Sequence, residues 1–533
     1  MTHWDDTVDV VVVGCGYAGA VAAIAAHDAG ASVLVLEKMP DPGGISACSF
    51  GGVRSAADAT AAFTYLKRTN LDTAPDSVLR ALAQGMTRLP RQVQTLARAA
   101  GATTSVRPSE ANYPFEGNDT FAFVNIETLD HFAPSSAYPH VRGAPGGVML
   151  FEVLRRNLAL RGIEVRTGNR VRRLLCNKKA VLQGLEVRTG RTTRSVRARR
   201  GVVLACGGFE GDAAMQRAYW PEGAVLAAAF RGNTGDGIRM AQTLGADLWH
   251  MWHYHGSYGF RHIDAAYPFG IRTKRLPDWQ PGTALRGDVA MPWILLDRRG
   301  RRFMNEYDPY VQDTGARPFA RYDPQAQDYA ATPAALLADA SGITRYPFGR
   351  PTSHERGIAY EWSADNSREL ASGLLRSARD THELAHQIGI PEDALVAALD
   401  RWNAACADNS DADWGRPPTS MLPIRQVPFV WAPVWPVLSN TQGGPVHDAA
   451  QRVLRPDGTA ISRLYAAGEM GSVFGHLYMS GGNIAECFVG GRRAGLGAAR
   501  EPAALALTRR PAARQQTSRP RQNRSGPQFP ESR

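Results

Sequence analysis

The sequence predicts an α/β protein: a nucleotide-binding domain, discontinuous in sequence, with an α+β capping domain inserted between its halves. Three observations predict it. Residues 9–38 run strand, glycine turn, helix, strand. Residues 275–438 change character and are rich in Pro, Trp, Asp and Arg. After Asn440 the glycine-rich, small-residue style of the N-terminal part returns. At 533 residues the chain is too long for one core. The expected domains are 1–275 (nucleotide-binding, first part), 276–438 (cap), 439–500 (nucleotide-binding, second part) and a basic tail over 501–533.

The first element is the most specific. The apolar run Val10–Val13 leads into Gly14-Cys15-Gly16-Tyr17-Ala18-Gly19. An Ala-rich, helix-prone stretch follows to Ala29, and a second apolar run, Val33–Leu36, ends on Glu37. This is the Rossmann-like order for a dinucleotide. Gly14 allows the tight turn, Gly16 lets the backbone approach a pyrophosphate, and Gly19 lets the helix pack on the strand. The helix N-terminus offers N–H groups and a positive dipole end to phosphates. Glu37 accepts from ribose hydroxyls. A plain βαβ unit with a glycine turn is the alternative.

Further along, helical periodicity marks residues 75–105 and 148–161, and residues 180–205 alternate as hairpin strands. The glycine turn at 232–237 opens a helix, and the cap has helical pieces near 368–389 and 391–408. No apolar run reaches the roughly 20 residues of a membrane span. The N-terminus lacks a signal-peptide pattern, and the six cysteines are scattered without metal or haem spacing. A cytoplasmic protein with reduced thiols is expected. Of the net charge of +11, the tail from Glu501 contributes seven Arg against two Glu and the body is only mildly basic; the tail's Pro, Gln and Ser content predicts a disordered segment without nucleic-acid binding. His250, His253, His255 and His262 cluster with Trp249, Trp252 and Tyr254; packing or a pocket wall is expected there, and no metal. The arginines around Gly300 read as a solvated turn.

Five ordered motifs resemble the FAD-binding fumarate reductase/succinate dehydrogenase flavoprotein superfamily. They are the fingerprint with Glu37, residues 42–52, 202–211, 232–237 and 464–486. The resemblance spans roughly residues 8–498 and implies FAD. It implies that Gly14, Gly16 and Gly19 hold the pyrophosphate and Glu37 the adenosine ribose. Gly43, Gly44 and Ser46 would lie along the diphosphate and the flavin edge. Gly207, Gly208 and Asp236 would line the flavin, and Glu469 would contact the ribityl chain. The Gly482-Asn483-Ile484 region would start a helix whose N-terminus faces the pyrimidine end, where reduced flavin carries negative charge. Members with covalent flavin carry a His in the segment matching 45–52; none is present, so non-covalent FAD is expected.

The substrate-facing positions depart from the fumarate reductases. Tyr310 stands where the family's Arg acid would be, Tyr478 occupies the neighbourhood of the Arg before GGN, and Asn440 replaces a His. The two tyrosines instead resemble the 3-ketosteroid dehydrogenase branch. That resemblance implies Tyr310 as the base, and Tyr478 with the Gly482 N–H as the clamp on the substrate ketone. Tyr478-Met479-Ser480 resembles the Tyr-x-Ser of the branch acting on saturated 5α-ketosteroids. A donor to the ketone acidifies the α C–H, the base takes that proton, and the β hydrogen leaves as hydride to flavin. Tyr113 is a candidate neighbour for Tyr310. The expected function is FAD-dependent dehydrogenation of a CH–CH bond beside a ring ketone, with a small-molecule ketone or enone as partner. The alternatives are an ene-reductase for an α,β-unsaturated carbonyl compound and, more remotely, a non-catalytic flavoprotein with an anion-binding tail.

Overall fold

The computed structural model describes residues 3–274, 290–307 and 311–503. Tyr310 and residues 504–533 of the tail therefore lie outside the described residues. In chain order the first sheet takes β1 (Asp6–Val13), helix α1 (Tyr17–Asp28), β2 (Val33–Leu36), β3 (Glu164–Arg166), β4 (Asn169–Cys176), β5 (Leu182–Thr189) and β6 (Thr192–Leu204). β1 pairs in parallel with β2 on one side and β6 on the other. Both its faces are covered, so Val10–Val13 are uniformly apolar and no more than 5% exposed. α1 is buried along most of its length, which explains why Ala replaces a polar face: Ala combines the best helix propensity with the smallest side chain. The N-terminal part of β6 pairs antiparallel with β5, the hairpin expected over 180–205.

The chain then builds a second sheet from β7 (Tyr254–Arg261), β8 (Gly270–Thr273), β9 (Ile294–Leu296), β10 (Ala334–Ala338), β11 (Gly349–Arg350) and β12 (Phe429–Thr441). The short helix α2 (Val311–Thr314) lies beside β7. Strand order is β9-β10-β12-β7-β8-β11, with β12 central. An aromatic core of Tyr258, Phe260, Trp293, Phe319 and Phe348 covers one face. Leu384, Leu395 and Trp402 from the helical part of the cap join Leu337 and Trp431 on the other.

Two expectations are corrected here. The boundary at 275/276 cuts through the second sheet: β7 and β8 precede it yet pair with β12 and β11. The arginine turn is not wholly solvated. Gly300 does sit in a turn, but Arg302 is buried, donating to Glu306 and Asp411 and lying over the Trp402 ring.

The chain returns to the first sheet through β13 (Arg452–Leu454) and β14 (Ala460–Ala466), giving the order β13-β14-β6-β1-β2-β3. The last helix, α3 (Gly482–Arg500), packs along α1, with Gly491 and Gly495 against Ala18 and Ala22. Both helix N-termini therefore open on the C-terminal edge of the sheet, where a doubly wound fold places its ligand.

Candidate active site

A cavity of about 1110 Å³ runs along that edge, larger than the roughly 300–1,000 Å³ of an ordinary small-molecule site. Gly14 turns the chain at its mouth with φ +98°, and a Cβ there would lie 2.4 Å from the Ala205 carbonyl oxygen. Gly16 and Tyr17 start α1 on the cavity wall. Gly19 does not line the cavity. A Cβ on it would come 2.0 Å from the Gly14 carbonyl oxygen, so its part is helix-on-strand packing.

Glu37 is buried on the same wall. Its Oε2 accepts the Cys15 N–H at 2.9 Å and its Oε1 the Met39 N–H at 2.8 Å. Burial pushes its pKa up, against those two N–H groups. Each carboxylate oxygen has a second lone pair for a ribose hydroxyl. Asp236 departs from its expected place beside the flavin. It pairs with Lys38 at 3.1 Å and Arg170 at 2.7 Å, which sets it at the Glu37 end of the cavity. The sequence motif could not separate the two ends, because Lys38 and Arg170 come from β2 and β4 surroundings distant in sequence.

Gly44, Ser46 and Gly207 line the middle. Ser46 Oγ accepts the Tyr17 N–H at 3.2 Å. Gly43 and Gly208 stand behind the wall: Gly43 packs on Ala47 and Phe151, Gly208 on Thr441 and Glu469. Glu469 Oε1 accepts the Thr441 N–H at 2.8 Å. Asn233 Nδ2 bridges Glu210 Oε1 (3.2 Å) and Glu469 Oε2 (3.3 Å). Burial and the neighbouring Glu210 charge raise the Glu469 pKa well above its ordinary value, and burial raises that of Glu210. Four cysteines touch the cavity, Cys15, Cys48, Cys206 and Cys487, and burial keeps them thiols; that of Cys48 is pushed up to about 12.

At the far end Asn483 and Ile484 open α3 on the wall. Asn483 joins Asn440, Gln442, Ser472 and the buried Glu486 in one hydrogen-bond network. Burial raises the Glu486 carboxyl to about 7. Tyr478 lines the cavity, and its hydroxyl accepts the Gly481 N–H at 3.1 Å. Gly482 is a correction: its N–H donates to the Met479 carbonyl at 2.7 Å and so is turned into the backbone rather than toward a substrate.

The histidine cluster divides. Both ring nitrogens of His250 face backbone carbonyls, of Ser472 at 2.7 Å and Thr73 at 2.8 Å. His255 lines the cavity, its ring centroid 4.1 Å from that of Tyr478, and faces the buried Asp313. Among the described residues no group of three or more His, Cys, Asp or Glu is arranged to hold a metal. The Tyr113 hydroxyl donates to Asp313 at 2.6 Å. Sequence reasoning did not single out Asp313, Glu210, Asn233 or Glu486. Glu210 and Glu486 lie inside the motifs that were read; Asp313 follows Tyr310 by three positions.

FAD fits these residues: two helix N-termini on one cavity wall, a buried ribose acceptor and several lining glycines suit an elongated dinucleotide. Residues 9–484 match the family described as FAD binding domain. The 3-oxosteroid 1-dehydrogenase of Mycobacterium tuberculosis is 30% identical, over 92% of this chain and 97% of that protein. The 4-oxocyclohexanecarboxylate 2-dehydrogenase of Sinomonas cyclohexanicum is also 30% identical, over 93% and 96%. The crystal structure of 3-ketosteroid delta1-dehydrogenase from Sterolibacterium denitrificans in complex with 1,4-androstadiene-3,17-dione has a TM-score of 0.77 at 22% identity, over 93% of this chain and 99% of that one. Fingerprint, cavity and relatives agree that the chain belongs to the FAD binding domain family, as an oxidoreductase whose cofactor is FAD.

Proposed function

We propose that this flavoenzyme dehydrogenates a ring ketone, steroid-like or smaller, introducing a C=C bond α,β to the carbonyl. The observation that carries the proposal is Tyr478. It lines the cavity beside the glycine turn that opens α3, and a phenol O–H is a group that can donate to a carbonyl oxygen. Donation to the ketone stabilises the developing enolate and acidifies the α C–H. Tyr310 is the proposed base, on the strength of its sequence match. Bound FAD supplies the hydride acceptor for the β hydrogen. The two ring-ketone dehydrogenases similar to this chain support the same substrate class.

The cofactor-binding assignment keeps Gly14, Gly16, Glu37, Gly44, Ser46, Gly207, Glu469, Asn483 and Ile484 in contact with FAD, held non-covalently, with Asp236 at the adenosine end. Gly19, Gly43 and Gly208 shape the wall from behind. No described helix is long and apolar enough to cross a membrane. Six free cysteines support a reducing, cytoplasmic location.

The test is anaerobic mixing of FAD-loaded enzyme with saturated 3-ketosteroids and cyclohexanones. At least one should bleach the flavin. Tyr478→Phe should keep FAD and reduce the bleaching rate by about 10²–10³; bleaching at the parent rate would remove Tyr478 from the clamp.

A further inference from the structure

A buried carboxylate with neutral partners stands one side chain behind the cavity wall. Glu486 follows Gly482 by four positions, about one turn of α3, and is 3% exposed. Its Oε1 accepts the Val473 N–H at 2.7 Å. Its Oε2 accepts the Ser472 hydroxyl at 2.8 Å and the Asn483 amide at 3.2 Å. None of these donors carries a charge, in contrast to the two arginines on Glu306.

Asn483 is the link to the cavity. It lines the wall, and its Oδ1 accepts the amide of Asn440, another wall residue, at 3.2 Å. Its Nδ2 also reaches Ser472 Oγ at 3.1 Å and Gln442 Oε1 at 3.2 Å. The amide is thus fixed with its NH2 toward Glu486 and its oxygen toward the wall. A charge in the cavity beside Asn483 acts on Glu486 in two ways. An ionised Glu486 offsets the positive end of α3, which otherwise stabilises an anion there. A second negative charge nearby, in a low-dielectric interior, makes an ionised Glu486 costlier to keep. Reduction of FAD by two electrons and one proton adds such a charge.

We propose that Glu486 takes up a proton when FAD is reduced, so that the charge of reduction is compensated from within α3. The proton comes from solvent, is held on the Glu486 carboxyl and returns to solvent when FAD is reoxidised. Ser472 Oγ, a hydroxyl that accepts as well as donates, faces the oxygen that holds it. By linkage, protonating Glu486 eases reduction by the same factor. The inference rests on the assignment of Asn483 to the FAD contacts and is independent of which ketone binds.

The groups packed around Glu486 set the pH window. They are Cys487 beside it on α3, Tyr17 from α1, His250 held at the Ser472 carbonyl, Glu469 ahead of α3, and Arg54 from the strand at 53–56, held at the Ser480 carbonyl. Burial keeps Cys487 and Tyr17 protonated and His250 neutral near pH 7. Glu469 is the alternative carboxyl. Burial brings Glu486 itself to about 7. Above that pH the oxidised protein holds it ionised, and reduction draws the proton in. Below about pH 6 it is protonated in both states, and nothing is taken up.

Two measurements on the FAD-loaded full chain, reduced electrochemically so that no ketone takes part, test this. The first is the midpoint potential against pH. Between about pH 7 and 9 it should fall about twice as steeply in the parent as in Glu486→Gln, two protons per two electrons against one. Below about pH 6 the two should coincide. Parallel lines with a constant offset mean that Glu486 senses FAD and takes up no proton; coincident lines at every pH remove Asn483 from the FAD contacts. Either result overturns the proposal, and a merely structural role gives no change of slope. The second is the reduced-minus-oxidised infrared spectrum near pH 8. A protonated-carboxyl C=O band should grow on reduction and be absent in Glu486→Gln; a band that survives in the variant belongs to another carboxyl and overturns the assignment. Ser472→Ala carries the test if Glu486→Gln does not hold FAD. Loss of a donor to the carboxylate should move the steep part of the potential curve to higher pH, and an unmoved curve overturns the proposal. Failure of every ring ketone to bleach the flavin sinks the substrate reading alone and leaves these measurements as they are.

Discussion

Glu306 in the cap and Asp313 at the cavity lie close in sequence and are both buried, yet they have different partners. Glu306 accepts from Arg302 Nε at 3.0 Å and Nη2 at 2.8 Å, from Arg416 Nη1 at 3.4 Å and from the Leu295 N–H at 3.1 Å. Arg416, fully buried, also donates to the carbonyls of Trp293, Met291 and Ser420. Asp313 has a phenol, a backbone N–H and an imidazole. A guanidinium does not lose its proton in a protein, whereas an imidazole does near neutrality. The Glu306 cluster thus ties two arginines and the Leu295 N–H to one carboxylate and serves to hold β9 and its connections. Glu469 on the cavity wall, and Asp313 and Glu486 behind it, sit among groups that titrate or stay neutral, and protons can be held or moved there.

The largest expected effect tests the locked half of this contrast. Glu306→Gln leaves Arg416 buried without its counter-charge, and breaking such a pair costs about 3–5 kcal/mol. Urea unfolding should show that loss almost unchanged between pH 6 and pH 9. A loss under about 1 kcal/mol would place Glu306 with the exposed ion pairs and end the comparison.

The next effect sharpens the titrating half. Burial first of all raises the Glu486 carboxyl to about 7, from an ordinary 4.5. The folded chain therefore holds this proton more tightly than the unfolded chain. Its contribution is fully present below about pH 4.5 and is lost as pH rises toward 7, on the order of 3 kcal/mol in all. Glu486→Gln should flatten that part of the stability profile. Parent and variant profiles that run parallel from pH 4.5 to 7 would show the carboxyl titrating normally.

What the sequence discloses follows the same division between local and distant. The βαβ fingerprint is legible because strand, turn and helix are neighbours in the chain, and Glu37 comes with them. β12 is not. It contains Pro433 and Pro436, and proline, lacking an N–H, argues against a central strand. It is central because its two halves pair with different strands: Val430–Val434 with β10, Trp435–Thr441 with β7. That pairing also moved the cap boundary, since β7 precedes β12 by more than 150 residues. In the site, Tyr478 stood out beside its glycines. His255 and Asp313 are 58 residues apart and carry no joint signal until β7 and α2 meet. The Gly482 N–H failed as a clamp because the turn before α3 takes it for the Met479 carbonyl.

The smallest effect is the most discriminating. Glu210 and Glu469 share the Asn233 amide, and both are pushed up, by burial and, for Glu469, by the neighbouring charge. Two adjacent carboxylates cannot both ionise cheaply, so the pair holds its protons more tightly than free glutamates do. A glutamine resembles a protonated glutamate in shape and donor capacity. Glu210→Gln should therefore change stability by no more than about 1 kcal/mol at pH 6. With both folded pKa values raised, the parent loses stability as pH climbs through them, and the variant escapes part of that loss. At pH 9 the variant should be the more stable of the two in urea. The opposite result, a loss of about 3 kcal/mol at pH 6, would make Glu210 a locked carboxylate like Glu306, although no guanidinium touches it among the described residues.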